Sequence, residues 1–383
     1  MTSEELEERL KRVVGLFRDA SLYYIRKVAR QIAHIGEMSA STINMMAVMA
    51  SMNEDLAMIN AEIARAARLS VPALYDVYNE ALNDVYRDPR FERALKHEPL
   101  PDGSKRALNR MAEAVSRQTA GTMVNLSNTT AVSEDYRRAV DRGVMAVTSG
   151  VGDYHTEMRN VIREIGGNGV RIETESGYSR RLDSAVRQNI IDGAKQIEQH
   201  ASDIISDGLG YNAREISVHG HSAPDHEPVQ GHVFLLEEFW KLQHNQACVD
   251  VDGRHFPAMK RPIAEWNCMH FAFGFSTEYS KRKYTNEQLD EFARENAQGC
   301  EIDGKHYTMY EAQQLMRKIE TKIRREKDIA VAAKEAGDME LRRQCQVKIN
   351  ALAAQYNRVE QLSGVPGRRD RTRVEGFRAV KIS

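Results

Sequence analysis

The chain has 383 residues, 42% apolar and 28% charged, the balance of a folded globular protein and not of a disordered one. Lys and Arg number 54 against 55 Asp and Glu, so no overall field draws the chain toward nucleic acid or an anionic membrane surface. No stretch is long and apolar enough to span a membrane, and the opening MTSEELEERLKRVV is acidic and amphipathic, unlike a secretory leader.

Prolines are few and alanines plentiful, which favours long helices. Leu6, Leu10, Val13, Val14 and Phe17 recur at helical spacing, and Leu22, Ile25, Val28, Ala29, Ile32 and Ile35 continue the same stripe. A second helix is expected over 41–68. Ser70 then reads as the cap of a third, with Pro72 in its first turn and Leu74, Val77, Tyr78, Leu82 and Val85 as its buried face. Helical patterning returns from about 104 to 165, interrupted at Gly143, Gly150 and Gly152, and Gly166-Gly167-Asn168-Gly169 reads as a turn. Residues 170–174 alternate like a short strand, and Arg180–Ser206 is an amphipathic helix.

The texture changes near residue 211. Residues 215–218 and 232–234 alternate like strands, and seven of the twelve histidines and both tryptophans fall between 219 and 270. Helix resumes over 286–298. From Tyr310 to Ser363 the pattern is a charged helical hairpin turning at Ala336-Gly337-Asp338. The last twenty residues carry five Arg and one Lys against one Asp and one Glu. The expected fold is mainly α with a small α+β domain, in five segments: a helical N-terminal region (1–125), a helical connection (126–210), a His/Cys-rich α+β module (211–284), the hairpin (285–363) and a basic tail (364–383).

Four features carry candidate chemistry. His219, His221, Asp225, His226 and His232, with Cys268 and His270, supply the N, S and O donors a zinc-type ion requires. Their spacing matches no standard zinc signature. The preferred reading is a hydrogen-bonded structural cluster, with a structural zinc on His219, His226, Cys268 and His270 as the alternative. Cys268 beside a histidine also has the residue types of a thiol nucleophile, although no local motif places it as one. Met38, Met45, Met46, Met49, Met52 and Met58 are either an adaptable interface or a methionine-filled core. Arg368, Arg369, Arg371, Arg373, Arg378 and Lys381 could neutralise DNA phosphates without reading sequence. The four cysteines, at 248, 268, 300 and 345, lack disulfide-framework spacings, which points to a reducing compartment.

Several runs, in order, resemble the phage minor capsid protein 2 family. They are Ser217-Val218-His219, Pro224-Asp225-His226 and Gln230-Gly231-His232-Val233-Phe234, then Trp266-Asn267-Cys268-Met269-His270 and Lys283-Tyr284-Thr285-Asn286-Glu287-Gln288-Leu289. Upstream, Gly177-Tyr178-Ser179-Arg180-Arg181-Leu182-Asp183 is similar to the segment before the family's central helix, and the charged hairpin is similar too. The chain departs from the family at Ala223, Val229 and Met269, where Arg, Trp and Arg are usual. Retention of His219, His226, Gln230, Gly231, Asn267, Cys268 and His270 without those arginines fits a structural cluster better than a phosphate site.

The resemblance implies a minor structural protein of a tailed-phage head, without enzymatic activity. It would join in low copy number, act in head morphogenesis near the portal, and occupy the virion after a stage in the host cytoplasm. The implied partners are the portal or major capsid protein, further copies of the chain around the portal, and DNA through the basic tail; no membrane is implied. The alternative is a virion-carried enzyme or effector with a metal- or thiol-dependent His/Cys site.

Overall fold

A computed structural model of the chain describes residues 3–37, 42–97, 99–100, 102–127, 130–148, 154–173, 179–264 and 268–382. The first part is helical: α1 (Ser3–Glu37), α2 (Thr42–Tyr86), α3 (Pro89–His97), α4 (Asp102–Ser127), α5 (Thr130–Thr148) and α6 (Tyr154–Asn168). A short hairpin, β1 (Arg171–Glu173) and β2 (Ser179–Arg181), leads into α7 (Leu182–Gly208). Then come β3 (Ala213–Ile216), β4 (Val233–Leu235), α8 (Leu236–Gln243), β5 (Cys248–Val249), β6 (His255–Phe256) and β7 (Ala272–Phe275). The chain ends with α9 (Asn286–Gln298), β8 (Cys300–Ile302), β9 (Lys305–Tyr307), α10 (Met309–Glu335) and α11 (Met339–Ser363). The fold is mainly α with a small α+β part, as the sequence patterning indicates. No helix among the described residues is long and apolar enough to cross a membrane.

The structure corrects the sequence reading in three places. Pro72 does not begin a new helix; α2 runs through it. Ser70 is buried within that helix and its hydroxyl donates back to the Ala67 carbonyl at 2.6 Å. The reason is phase: Leu56, Ile59, Ile63, Ala67, Leu74, Tyr78 and Ala81 are all buried on one unbroken helical stripe, and that burial outweighs the hydrogen bond a proline removes. Gly166 and Gly167 lie in the last turns of α6 and not in a loop. A Cβ on Gly166 would sit 2.7 Å from the Ile329 Cα, so glycine there permits α6 to approach the α10 backbone. The chain reverses later, at Gly169 (φ +56°). The third correction is Gly143, which lies within α5 and does not interrupt it. The β8–β9 hairpin falls in a stretch that the sequence reading left unassigned, and its Asp303-Gly304 turn has φ of +52° and +75°, the mirror-image turn that matches strand twist.

The chain forms two compact units, each built from three separate stretches. One comprises Met1–Val13, Val71–Gly121 and Arg187–Glu311. In it, the antiparallel sheet β4–β3–β7 is set by the pairs Ala213↔Leu235 and Ala213↔Phe275. Ile216, Phe234, Leu242, Phe256 and Met259 form the core beside the sheet. The α9 helix begins with a capping box at Thr285 and Gln288.

The other unit comprises Val14–Ser70, Thr122–Val186 and Ala312–Ser383. Its hairpin turns at Gly337 (φ +73°), and Asp338 caps α11 by accepting from the Leu341 N–H at 2.8 Å. Arg159 holds the same carboxylate at 2.7 Å. Asp183 and Asp328 are both buried and face Arg18, Arg181 and Arg324. The basic tail packs along this unit: Val365 and Val374 are buried, and the tail carbonyls of Thr372, Arg373 and Arg378 accept from Lys327, Arg18 and Arg342. Of its cations, Arg369 pairs with Glu360 and Arg371 with Glu320.

Candidate functional site

The His/Cys region lies in the first unit, where the chain leaves β3 and where it enters β7. Ser217 extends the pairing past the end of β3, its N–H donating to the Phe271 carbonyl at 2.9 Å. The chain then loops out through His219–Ser222 and returns by a single 3-10 turn, Glu227–Val229, to Gly231. Gly231 has φ +73°, and a Cβ there would lie 2.5 Å from Leu289 and 3.0 Å from Val218. The glycine in Gln230-Gly231-His232 therefore serves both a turn and a close approach.

This return brings His226 against Cys268 and His270, which lie 42 and 44 residues later in the chain. Cys268 Sγ is 3.2 Å from His226 Nδ1 and 3.6 Å from His270 Nδ1. The three candidate donor atoms lie within 4.8 Å of one another, and the three residues are 1–3% exposed. Each imidazole is oriented by its other nitrogen. His226 Nε2 donates to the Arg261 carbonyl at 2.9 Å. His270 Nε2 is 3.3 Å from Gln230 Oε1 and 3.3 Å from Ser222 Oγ, and both of those residues are buried.

The other candidates take different positions. The His219 ring packs at a tilt of 34° against that of His270 with centroids 4.1 Å apart, while its Nδ1 lies 3.1 Å from the Gly220 carbonyl; it stands beside the three converging donors and is not one of them. Asp225 forms a two-pronged pair with Arg261 at 2.8 and 2.9 Å, which fixes the stretch whose carbonyl holds His226. His232 faces Asp250 at 2.7 Å, in a separate buried pair. His221 is partly buried and adopts φ +57°. Trp266 and Asn267 lie outside the described residues, as do Gly177, Tyr178 and Met38. The side chains of Met45, Met46 and Met49 are likewise not described; Met52 is buried and Met58 exposed.

Residue composition brought out the histidines and the cysteine but not the groups that orient them. Ser222 and Arg261 carry no sequence signal, since one acts through a hydroxyl and the other through its backbone. Gln230 was visible only as part of a family-like run.

Electrostatically the centre is neutral. Burial lowers the pKa of His226, against the opposing effects of the Arg261 carbonyl and Asp225. Burial likewise puts His270 well below the usual histidine range, helped by the neighbouring His219, His226, Lys195 and Arg261. His219 is lowered for the same first reason, and burial raises the Cys268 thiol. These shifts favour imidazole and thiol over the thiolate–imidazolium pair on which cysteine nucleophiles depend.

These features define a mainly helical protein with a small antiparallel sheet stapled at one end by a buried, neutral His/Cys centre. The family model for phage minor capsid protein 2 matches residues 1–359, nearly the whole chain, and the chain belongs to that family. Membership implies a place in the virion. No curated protein and no solved structure matches the chain significantly.

Proposed function

We propose that this chain is a structural component of a tailed-phage head, built in at low copy number during head morphogenesis at or near the portal, and that it carries out no catalysis. The observation that carries the reading is the family match across residues 1–359. The chemistry of the centre agrees with it: a buried thiol held neutral between two neutral imidazoles is arranged to bind two stretches of chain together, not to attack a substrate. The portal or the major capsid protein is its partner, with further copies of the chain placed around the portal. The basic tail adds non-specific contact with packaged DNA through the exposed Arg373, Arg378 and Lys381, because Arg369 and Arg371 are engaged by Glu360 and Glu320. Assembly takes place in the host cytoplasm.

The test is quantitative mass spectrometry of purified procapsids and of DNA-filled heads, counting this chain against the portal protein. A reproducible low copy number in both supports assembly before packaging. Absence from both, with the chain free in the lysate, overturns the reading and brings the enzyme or effector to the front.

A further inference from the structure

We propose that His226 Nδ1, Cys268 Sγ and His270 Nδ1 together bind a zinc-type divalent cation, which cross-links the loop after β3 to the start of β7.

Counting protons gives the first argument. His226 Nε2 faces the Arg261 carbonyl, which can only accept, so that nitrogen carries the hydrogen and Nδ1 presents a lone pair. The same holds for His270. Gln230 Oε1 accepts from the His219 backbone N–H, which identifies it as the amide oxygen, and His270 Nε2 faces that oxygen. Two imidazole lone pairs therefore converge on one sulfur. A thiol has a single proton and can satisfy only one of them, which leaves the other nitrogen facing sulfur lone pairs in a buried site. A divalent cation on a thiolate accepts all three lone pairs at once, and the thiol proton leaves to solvent on binding.

Distance gives the second. With zinc–sulfur bonds of about 2.3 Å, zinc–nitrogen bonds of about 2.0–2.1 Å and tetrahedral angles, sulfur and nitrogen ligands stand about 3.6 Å apart. The observed sulfur–nitrogen separations are 3.2 and 3.6 Å, and the donor atoms lie within 4.8 Å of one another, whereas two zinc-bound nitrogens stand about 3.3 Å apart, so the two rings close toward each other as the ion enters. The orienting contacts are those of a metal-binding histidine, each ring held through its remote nitrogen by a carbonyl or amide oxygen. One sulfur and two imidazole nitrogens favour zinc over magnesium or calcium, which prefer oxygen. His219 lies outside the donor set and packs its ring against His270.

The experiment uses the full chain purified without chelator. Metal analysis should find about one zinc per chain. Replacement by cobalt should give the near-ultraviolet band of a cobalt–thiolate bond, and chelation should lower the melting temperature. Cys268→Ser should abolish the cobalt–thiolate band, while His219→Ala keeps it. Zinc-edge X-ray absorption of the wild-type chain needs no variant to fold, and should show one sulfur among light ligands. A chain that carries no zinc and takes up neither zinc nor cobalt on titration overturns the proposal, as does a first shell of oxygen alone. Either result leaves the particle copy-number test of the structural role unaffected.

Discussion

Each compact unit buries a polar centre, and the two use opposite chemistry. In the unit containing the helical hairpin the buried groups are ionic. Asp183 lies 3.4–3.8 Å from Arg18, Arg181 and Arg324, and Asp328 is 2.7 Å from Arg181. In the unit containing the sheet, which also buries the Lys195–Glu198 pair at 2.7 Å, the centre around Cys268 is neutral and held by hydrogen bonds. The ionic centre shows how finely burial and charge compete. Burial raises both carboxyls; for Asp183 three arginines outweigh it and the pKa falls, whereas for Asp328 burial prevails and the pKa stays up at about 6. A buried charge must keep its partners or lose stability outright. A neutral cluster tolerates an imperfect match, and can instead gain a ligand.

The contrast sets the order of expected effects. Asp183→Ala leaves three arginines beside a single carboxylate, and should cost about 3–5 kcal/mol by denaturant unfolding, the range for breaking a buried pair. A loss below about 1 kcal/mol would mean that the network is hydrated and not truly buried.

Gln230→Ala acts on the neutral centre. It removes the acceptor shared by the His219 N–H and His270 Nε2, and should cost about 1–3 kcal/mol in the same measurement. A cost equal to that of Asp183→Ala would erase the distinction between the two centres.

Tyr356→Phe is smaller. The hydroxyl donates to Glu320 at 2.8 Å and accepts from the Arg368 N–H at 2.6 Å, so the change should cost about 1–2 kcal/mol and loosen the start of the tail. Hydrogen exchange at residues 365–374 reads the loosening directly.

The smallest effect is a pH dependence. Asp19, although exposed on one side, is held up to about 6 by partial desolvation and by hydrogen bonding to and repulsion from Glu375 in the tail, against the pull of Arg18 and Arg26. A free aspartate titrates at 3.8, so between 3.8 and about 6 the folded state binds more protons than the unfolded state. Stability therefore falls as pH rises through that window, and is unaffected by this group below it. Protection factors across residues 373–380, taken relative to the intrinsic pH dependence of amide exchange, should fall over the same range, and Asp19→Asn should flatten that fall.

How much of this was legible in the sequence depended on whether a feature repeats or stands alone. The helical stripes, the hairpin with its turn at Gly337 and the β1 strand were readable because periodicity is local. Residue types also drew attention to His226, Cys268 and His270, since histidine is scarce elsewhere in the chain. Pro72 misled because tertiary burial of one continuous stripe overrode a local breaker. The ionic centre was invisible: Arg18, Arg181, Asp183, Arg324 and Asp328 each look like ordinary helix or strand surface, and only the fold turns them toward one another. The tail's packing was hidden in the same way: its composition shows charge, whereas the fold buries Val365 and Val374.

The most direct test of the structural role follows Cys268→Ser into the phage. Particles assembled with this variant are counted for the chain relative to portal, and then assayed for DNA packaging and infection. The account predicts a drop in incorporation that parallels the loss of thermal stability of the purified chain, because the His/Cys centre serves to hold the fold. Particles that carry the full complement of a normally stable variant, package DNA and then fail to infect would contradict it, since only a chemical role of Cys268 would remain.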